Sequence, residues 1–141
     1  MSAASYLLDR GDGSYTCYLY NGTMATQSQH KIVCQTPNAY LGAGELIRPS
    51  SPNISFSDSV FATAGFATYF WTSAERLDST DSNATKGWFW YDNVTSSAAD
   101  LLDIGWVFTP TGEKCADYQP GSGVLYPWAC SEISGRGCEY R

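Results

Sequence analysis

The side chains best placed to do chemistry are five cysteines, Cys17, Cys34, Cys115, Cys130 and Cys138, and a single histidine, His30. None of the cysteines forms a Cys-x-x-Cys pair, and one histidine does not complete a Cys/His zinc set. Disulfides are the chemistry this pattern favours. Two of the last three cysteines can close on each other while the third reaches back to Cys34, and Cys17 is left as the odd one. His30 stands beside Lys31 on a predicted helix and reads as a surface residue, not as the base of a Ser-His-Asp set. With no nucleophile elbow and no phosphate-cradling glycine loop, no catalytic residue is expected.

Two further groups of residues could bind rather than react. Asp100, Asp103, Glu113 and Asp117 are the acidic candidates for a metal ion. Calcium takes about six to eight oxygens. These four show no EF-hand-like ligand spacing, so they read as solvated loop charge. Trp106, Phe108, Tyr118, Tyr126 and Trp128 cluster around a long loop and the strands that follow it. Trp and Tyr are frequent interface anchors, so these side chains could form a binding face. An Arg10-Gly11-Asp12 triplet could be read as an integrin-type ligand, on the evidence of three residues only.

The composition limits the partners. At 141 residues the chain reads as one domain with room for a hydrophobic core. Apolar residues make up 43% and charged residues 16%, the balance of a folding chain. A net charge of −6 argues against nucleic acid and against anionic membrane surfaces. No apolar run approaches the roughly 20 residues of a membrane span, so no membrane insertion is expected. Asn21, Asn53, Asn83 and Asn93 head glycosylation sequons, which together with the cysteines suggests a secreted or extracellular setting. The opening Met-Ser-Ala-Ala-Ser lacks the basic and apolar regions of a signal peptide, so the chain reads as the mature part of such a protein.

The elements that would position these residues are α+β in kind. Residues 1–14 read as a flexible segment with a glycine turn. Tyr15 to Tyr20 reads as a strand ended by a turn at Asn21-Gly22. Thr26 and Gln29 have the form of a capping box for a helix over 25–35, with Ile32 and Val33 on one side and Pro37 as its stop. Ser55 and Asp58 suggest a second helix closed by Gly65. Strands are predicted over 66–73, 88–91, 115–118, 124–128 and 137–140, with a long irregular loop over 93–112.

From about Tyr15 to Arg141 the chain resembles a C-type lectin-like domain. Cys34 matches the cysteine of the family's first helix, and Phe70-Trp71-Thr72-Ser73 its tryptophan-glycine strand. Trp88-Phe89-Trp90-Tyr91-Asp92-Asn93 matches the Trp-x-Trp-x-Asp-Gly stretch. The last three cysteines match the C-terminal signature, with seven residues between Cys130 and Cys138. The resemblance implies a domain over 15–141 with two helices packed on short antiparallel sheets. It implies a long loop region and disulfides Cys34–Cys138 and Cys115–Cys130.

For function, the resemblance implies an extracellular recognition module that binds a protein or glycan ligand. The binding residues would be Trp106, Phe108, Thr109, Thr111, Tyr118, Tyr126 and Trp128. Sugar-binding members hold calcium through Glu-Pro-Asn or Gln-Pro-Asp in the loop and Trp-Asn-Asp before the penultimate cysteine. Here those positions carry Thr109-Pro110-Thr111 and Leu125-Tyr126-Pro127. Calcium is therefore not expected at the usual site, and no cofactor is implied. One alternative is a calcium-dependent lectin with relocated ligands. Another is a structural or disulfide-linked assembly component. Long-form members pair a cysteine at the Cys17 position with one near Tyr6, which this chain lacks, so Cys17 could join two copies as a homodimer.

Overall fold

The computed structural model describes residues 3–9, 11–49, 65–66, 69–76, 87–90, 105–107, 110–121 and 123–141. Among them are one helix and nine strands: β1 (Ala3–Asp9), β2 (Tyr15–Ala25), α1 (Gln27–Gln35), β3 (Glu45–Leu46), β4 (Phe70–Arg76), β5 (Trp88–Trp90), β6 (Gly105–Trp106), β7 (Cys115–Tyr118), β8 (Val124–Trp128) and β9 (Ser134–Tyr140). They form one sheet in the order β1-β2-β9-β4-β7-β8-β6, with β3 on β9 and β5 on β4. The pairs β4–β9 and β6–β8 are parallel and the other named pairs antiparallel. The N-terminal strand and the C-terminal strand thus flank β2, and the two ends of the chain meet in one sheet. No helix among the described residues is long and apolar enough to cross a membrane.

The opening residues depart from expectation. Ala3–Asp9, predicted as part of a flexible segment, pairs along its whole length with β2. Ala4, Tyr6 and Leu8 alternate onto the core while Ser5 and Leu7 point away, the period of two that a half-buried strand requires. A hairpin closes it, with Gly11 and Gly13 at positive φ (80° and 88°) and Asp9 and Asp12 accepting hydrogen bonds from Gly11 N and Ser14 N. The Gly-Asp of the integrin-like triplet is therefore hairpin loop; Arg10 lies outside the described residues. The expected turn at Asn21-Gly22 is instead a bulge, where β2 shifts register against β9 and continues to Ala25.

Helix α1 forms as predicted. The Thr26–Gln29 capping box is complete, and Thr36 is the C-cap just before Pro37. Ile32 and Val33 are exposed, at 67% and 46%, and the buried residues are Gln27, His30 and Cys34. Those three share a face by helical spacing. Gln27 donates to Glu75 at 3.0 Å, Lys31 forms an ion pair with Glu75 at 2.8 Å, and His30 Nε2 meets the Ser134 carbonyl at 2.9 Å. The helix docks through polar bonds and a disulfide rather than through an apolar stripe. His30 is consequently a buried residue, 1% exposed, not the surface residue expected. Burial lowers its pKa, with the Ser134 carbonyl acting in the opposite sense. The second helix predicted over 55–64 lies outside the described residues, as does the loop predicted over 93–112 except for 105–107 and 110–112, where Gly105–Trp106 is strand β6.

The sheet separates two clusters. On one face Tyr18, Tyr20, Phe66, Phe70, Trp88, Tyr118 and Leu125 pack together. On the other, Leu46, Trp71 and Tyr140 surround the buried sulfurs of Cys34, Cys115 and Cys138. Gly137 of β9 is favoured there on steric grounds. A Cβ there would lie 2.7 Å from Ile47 Cδ1 and 2.9 Å from Phe70 Cδ2, so only hydrogen fits where those side chains cross β9.

Candidate functional site

Two disulfides frame the C-terminal region. Cys34–Cys138 ties α1 to β9 across a sequence separation of 104, and Cys115–Cys130 ties β7 to the turn after β8 across 15. Both pairings are those the resemblance implied. Cys17 is the free cysteine, half-buried on β2 between Leu7 of β1 and Tyr140 of β9. Burial raises its thiol pKa, which keeps it in the less reactive protonated form.

The β7–β8 hairpin decides which aromatic residues are available. Its register sets Cys115 opposite Trp128, Asp117 opposite Tyr126, and Tyr118 opposite Leu125. Successive side chains alternate faces, so Tyr118 and Leu125 enter the first core cluster while Asp117, Tyr126 and Trp128 face the other way. Tyr118, expected as a ligand-binding residue, is fully buried against Phe70 at a ring distance of 5.5 Å. Trp106 also belongs to the Tyr118 face: it is half-buried and lies 4.8 Å from Trp88. The structure therefore does not bring Trp106 and Tyr118 together with Tyr126 and Trp128.

Tyr126 and Trp128 line a groove instead. Tyr69, Tyr126 and Trp128 form a row of edge-to-face rings, with centroid distances of 5.8 and 5.3 Å. Met24, Ile133 and Ser134 complete the lining with Asp117, around a cavity of about 240 Å³. Met24 and Ile133 are more than half exposed, at 52% and 54%. Sequence reasoning missed Met24, Tyr69, Ile133 and Ser134. They converge because Ala25 pairs with Ser134 and because Gly135 N donates to Tyr69 O at 3.0 Å. No local spacing announces either contact.

Asp117 is the charged member of the groove. It is 5% exposed, and Oδ2 accepts a hydrogen bond from Ser134 Oγ at 3.1 Å. Oδ1 is buried without a hydrogen-bond partner. Burial pushes its carboxyl up to about 7, with the Ser134 bond pulling the other way. Asp117 is thus not the solvated loop charge expected of it. Ser, His and Asp do come together here, but in an order unlike a hydrolytic triad. The Ser134 hydroxyl donates to Asp117, and His30 meets the Ser134 backbone carbonyl. The imidazole is not the partner of the hydroxyl proton, so it cannot serve as its base through this contact.

The remaining candidates are dispersed. Thr111 N and Oγ1 donate to Glu113, and Gly112 N does the same. Burial opposes ionisation of Glu113, but those bonds outweigh it and hold its carboxyl below the usual range. Phe108, Thr109, Asp100 and Asp103 lie outside the described residues, as do Asn53, Asn83 and Asn93. Asn21 is half-buried in paired strand β2 and accepts from Thr23 N at 2.8 Å. Among the described residues no three of His, Cys, Asp and Glu gather as a metal-binding group.

No family model and no curated protein matches the chain by sequence. Solved structures do match its architecture. Human lithostathine superposes with a TM-score of 0.67 at 17% identity, over 95% of this chain and 99% of that one. The C-type lectin CEL-I from Cucumaria echinata gives 0.66 at 13% identity, over 96% and 94%. A Ca2+-dependent type II antifreeze protein in its Ca2+-free form gives 0.61 at 20% identity, over 94% and 96%. The chain has the C-type lectin-like fold. At these identities the likeness concerns the fold, and the C-type lectin-like scaffold then carries on this chain an aromatic groove built from its own residues.

Proposed function

We propose that this protein is an extracellular recognition module that binds a ligand, protein or glycan, at the Tyr69–Tyr126–Trp128 groove, without the calcium-sugar site of sugar-binding C-type lectins. The observation that carries this reading is the aromatic row itself. Three large rings and two exposed aliphatic side chains surround a concave surface that the core does not need. The residues at the usual calcium-ligand positions do not fit the ion. Leu125 is fully buried, Tyr126 belongs to the ring row, Pro127 has no side-chain oxygen, and Thr111 is bonded to Glu113. The two disulfides and the acidic surface support an oxidising, extracellular setting and a partner that is not nucleic acid.

The test is binding of the labelled chain to arrays of glycans and of extracellular proteins, in millimolar calcium and again in EDTA. Tyr126→Ala and Trp128→Ala should abolish the signal while each variant still unfolds cooperatively. EDTA should change neither the signal nor the melting temperature, because an ion bound to the folded state must raise it. Loss of binding in EDTA, or a melting shift of several degrees, would replace this reading with a calcium-dependent lectin.

A further inference from the structure

The geometry points to an organic monocation on an apolar stem, as on a lysine or arginine side chain of a protein partner, as the group that the Tyr69–Tyr126–Trp128 groove receives over Asp117. This rests on the groove being the ligand site proposed above and names what that site takes. Asp117 faces the groove side of the β7–β8 hairpin, since the register places it directly opposite Tyr126. Its Oδ2 accepts from the neutral Ser134 hydroxyl, its own backbone N–H adds a weaker favourable interaction, and its Oδ1 has no hydrogen-bond partner among the described residues. A covered carboxylate oxygen with no donor is a costly arrangement that an incoming N–H would relieve. Among the described residues none that lines the groove is Lys, Arg or His.

The walls suit the same ligand. Faces of Trp and Tyr rings carry negative electrostatic potential and attract ammonium and guanidinium groups within about 6 Å. Tyr69, Tyr126 and Trp128 supply three such rings in contact, and Met24 and Ile133 offer apolar surface for a methylene stem. The cavity of about 240 Å³ has room for one long side chain. An anionic ligand would meet Asp117 as a like charge. The overall charge of −6 also favours the approach of a basic partner.

The experiment titrates the ¹⁵N-labelled chain with N-acetyl-lysine methylamide, N-acetyl-arginine methylamide and the neutral isostere N-acetyl-norleucine methylamide. A methyl hexoside serves as the sugar arm. The cationic probes should shift the Trp128 indole resonance and the Asp117 and Ser134 amides with a millimolar Kd, about tenfold tighter than norleucine. Asp117→Asn should reduce lysine to the norleucine level. Trp128→Leu, which keeps apolar volume and removes the ring, should weaken lysine several-fold and norleucine little; it also covers the case in which Asp117→Asn does not fold. Equal binding of lysine and norleucine, or tighter binding of the hexoside at the same resonances, overturns the cation while leaving the groove as the site. If no probe moves the Trp128 indole, the cation inference falls, and the array result with Tyr126→Ala and Trp128→Ala decides separately whether the groove binds anything.

Discussion

Glu139 and Asp117 lie in the same sheet, are 4% and 5% exposed, and both have carboxyls pushed up to about 7 by burial. Their surroundings differ. Glu139 sits on β9 between β2 and β3, beside the Cys34–Cys138 disulfide. Arg141 donates to it at 3.1 Å, and Arg48 adds a second favourable charge against the unfavourable one of Glu45. Asp117 sits on β7 under the aromatic row with a neutral hydroxyl on one oxygen and, among the described residues, no hydrogen-bond partner on the other. A buried charge without a partner is retained at a cost to stability. Glu139 thus has cationic partners while Asp117 has none among the described residues, although Arg48 Nε beside Glu139 and Ser73 Oγ on β4 are also buried without a hydrogen-bond partner. That difference separates the part of the molecule that holds the fold from the part available to a ligand.

The largest effect that would break this division is loss of the longer staple. Replacing Cys34 and Cys138 together with Ala should cost about 4–5 kcal/mol on the chain-entropy account, and replacing Cys115 and Cys130 about 3 kcal/mol. The two should also differ in place. Cys115 lies directly opposite Trp128, so only the second pair should disturb the groove resonances in a protein that is still folded. Denaturant unfolding and amide spectra of both double variants check this. Equal costs, or groove shifts in both, would mean that the stapled region and the edge form one cooperative unit.

A pH series sharpens the contrast next. Asp117 binds its proton more tightly in the folded state than in the unfolded chain, so between about pH 4 and 7 folding takes up a proton. Its contribution is fully present below the unfolded value, falls as pH rises towards about 7, and levels off above that. Glu139, also raised to about 7, acts with the same sign in the same window, and His30, lowered by burial, with the opposite sign in acid, which makes the melting curve of the parent protein ambiguous by itself. The difference between Asp117→Asn and the parent cancels both Glu139 and the histidine. It should grow in favour of the variant by about 3 kcal/mol from pH 5 to pH 8. A difference that does not vary with pH would show Asp117 ionised like any exposed carboxylate, and the contrast with Glu139 would lose its energetic meaning.

Much of the scaffold was legible before the structure because its signals are local or covalent. The capping box at Thr26 and Gln29 and the strands at Cys115–Tyr118 and Val124–Trp128 depend on short spacings, and the two disulfide pairings followed from the family resemblance; all appear. The groove was legible only in part. Tyr126 and Trp128 could be named, but Tyr118 and Trp106 looked equivalent to them until the hairpin register assigned faces. Met24, Tyr69 and Ile133 arrive through pairings far apart in sequence, and nothing in their own neighbourhoods marks them. β1 was missed because its alternation of small and large residues resembles a polar tail until β2 pairs with it.

Helix α1 shows most plainly where pattern reading fails, and it gives the smallest prediction. Ile32 and Val33 lie on one side of the helix, and that side is exposed because Cys34 must face β9 to reach Cys138. That places His30 and Gln27 inside and turns Ile32 towards solvent. The disulfide and the polar bonds to Glu75 and Ser134 override the hydrophobic pattern because they are made to fixed partners, whereas one aliphatic side chain contributes only a few kcal/mol at most. Ile32→Gln should therefore change unfolding free energy by no more than about 0.5 kcal/mol, as at an ordinary exposed position. A loss near 2 kcal/mol in chemical denaturation would mean that Ile32 is covered in solution. The helix would then hold to the sheet by apolar packing, and the stapled region would not be the polar, covalently closed unit with which the aromatic edge is contrasted.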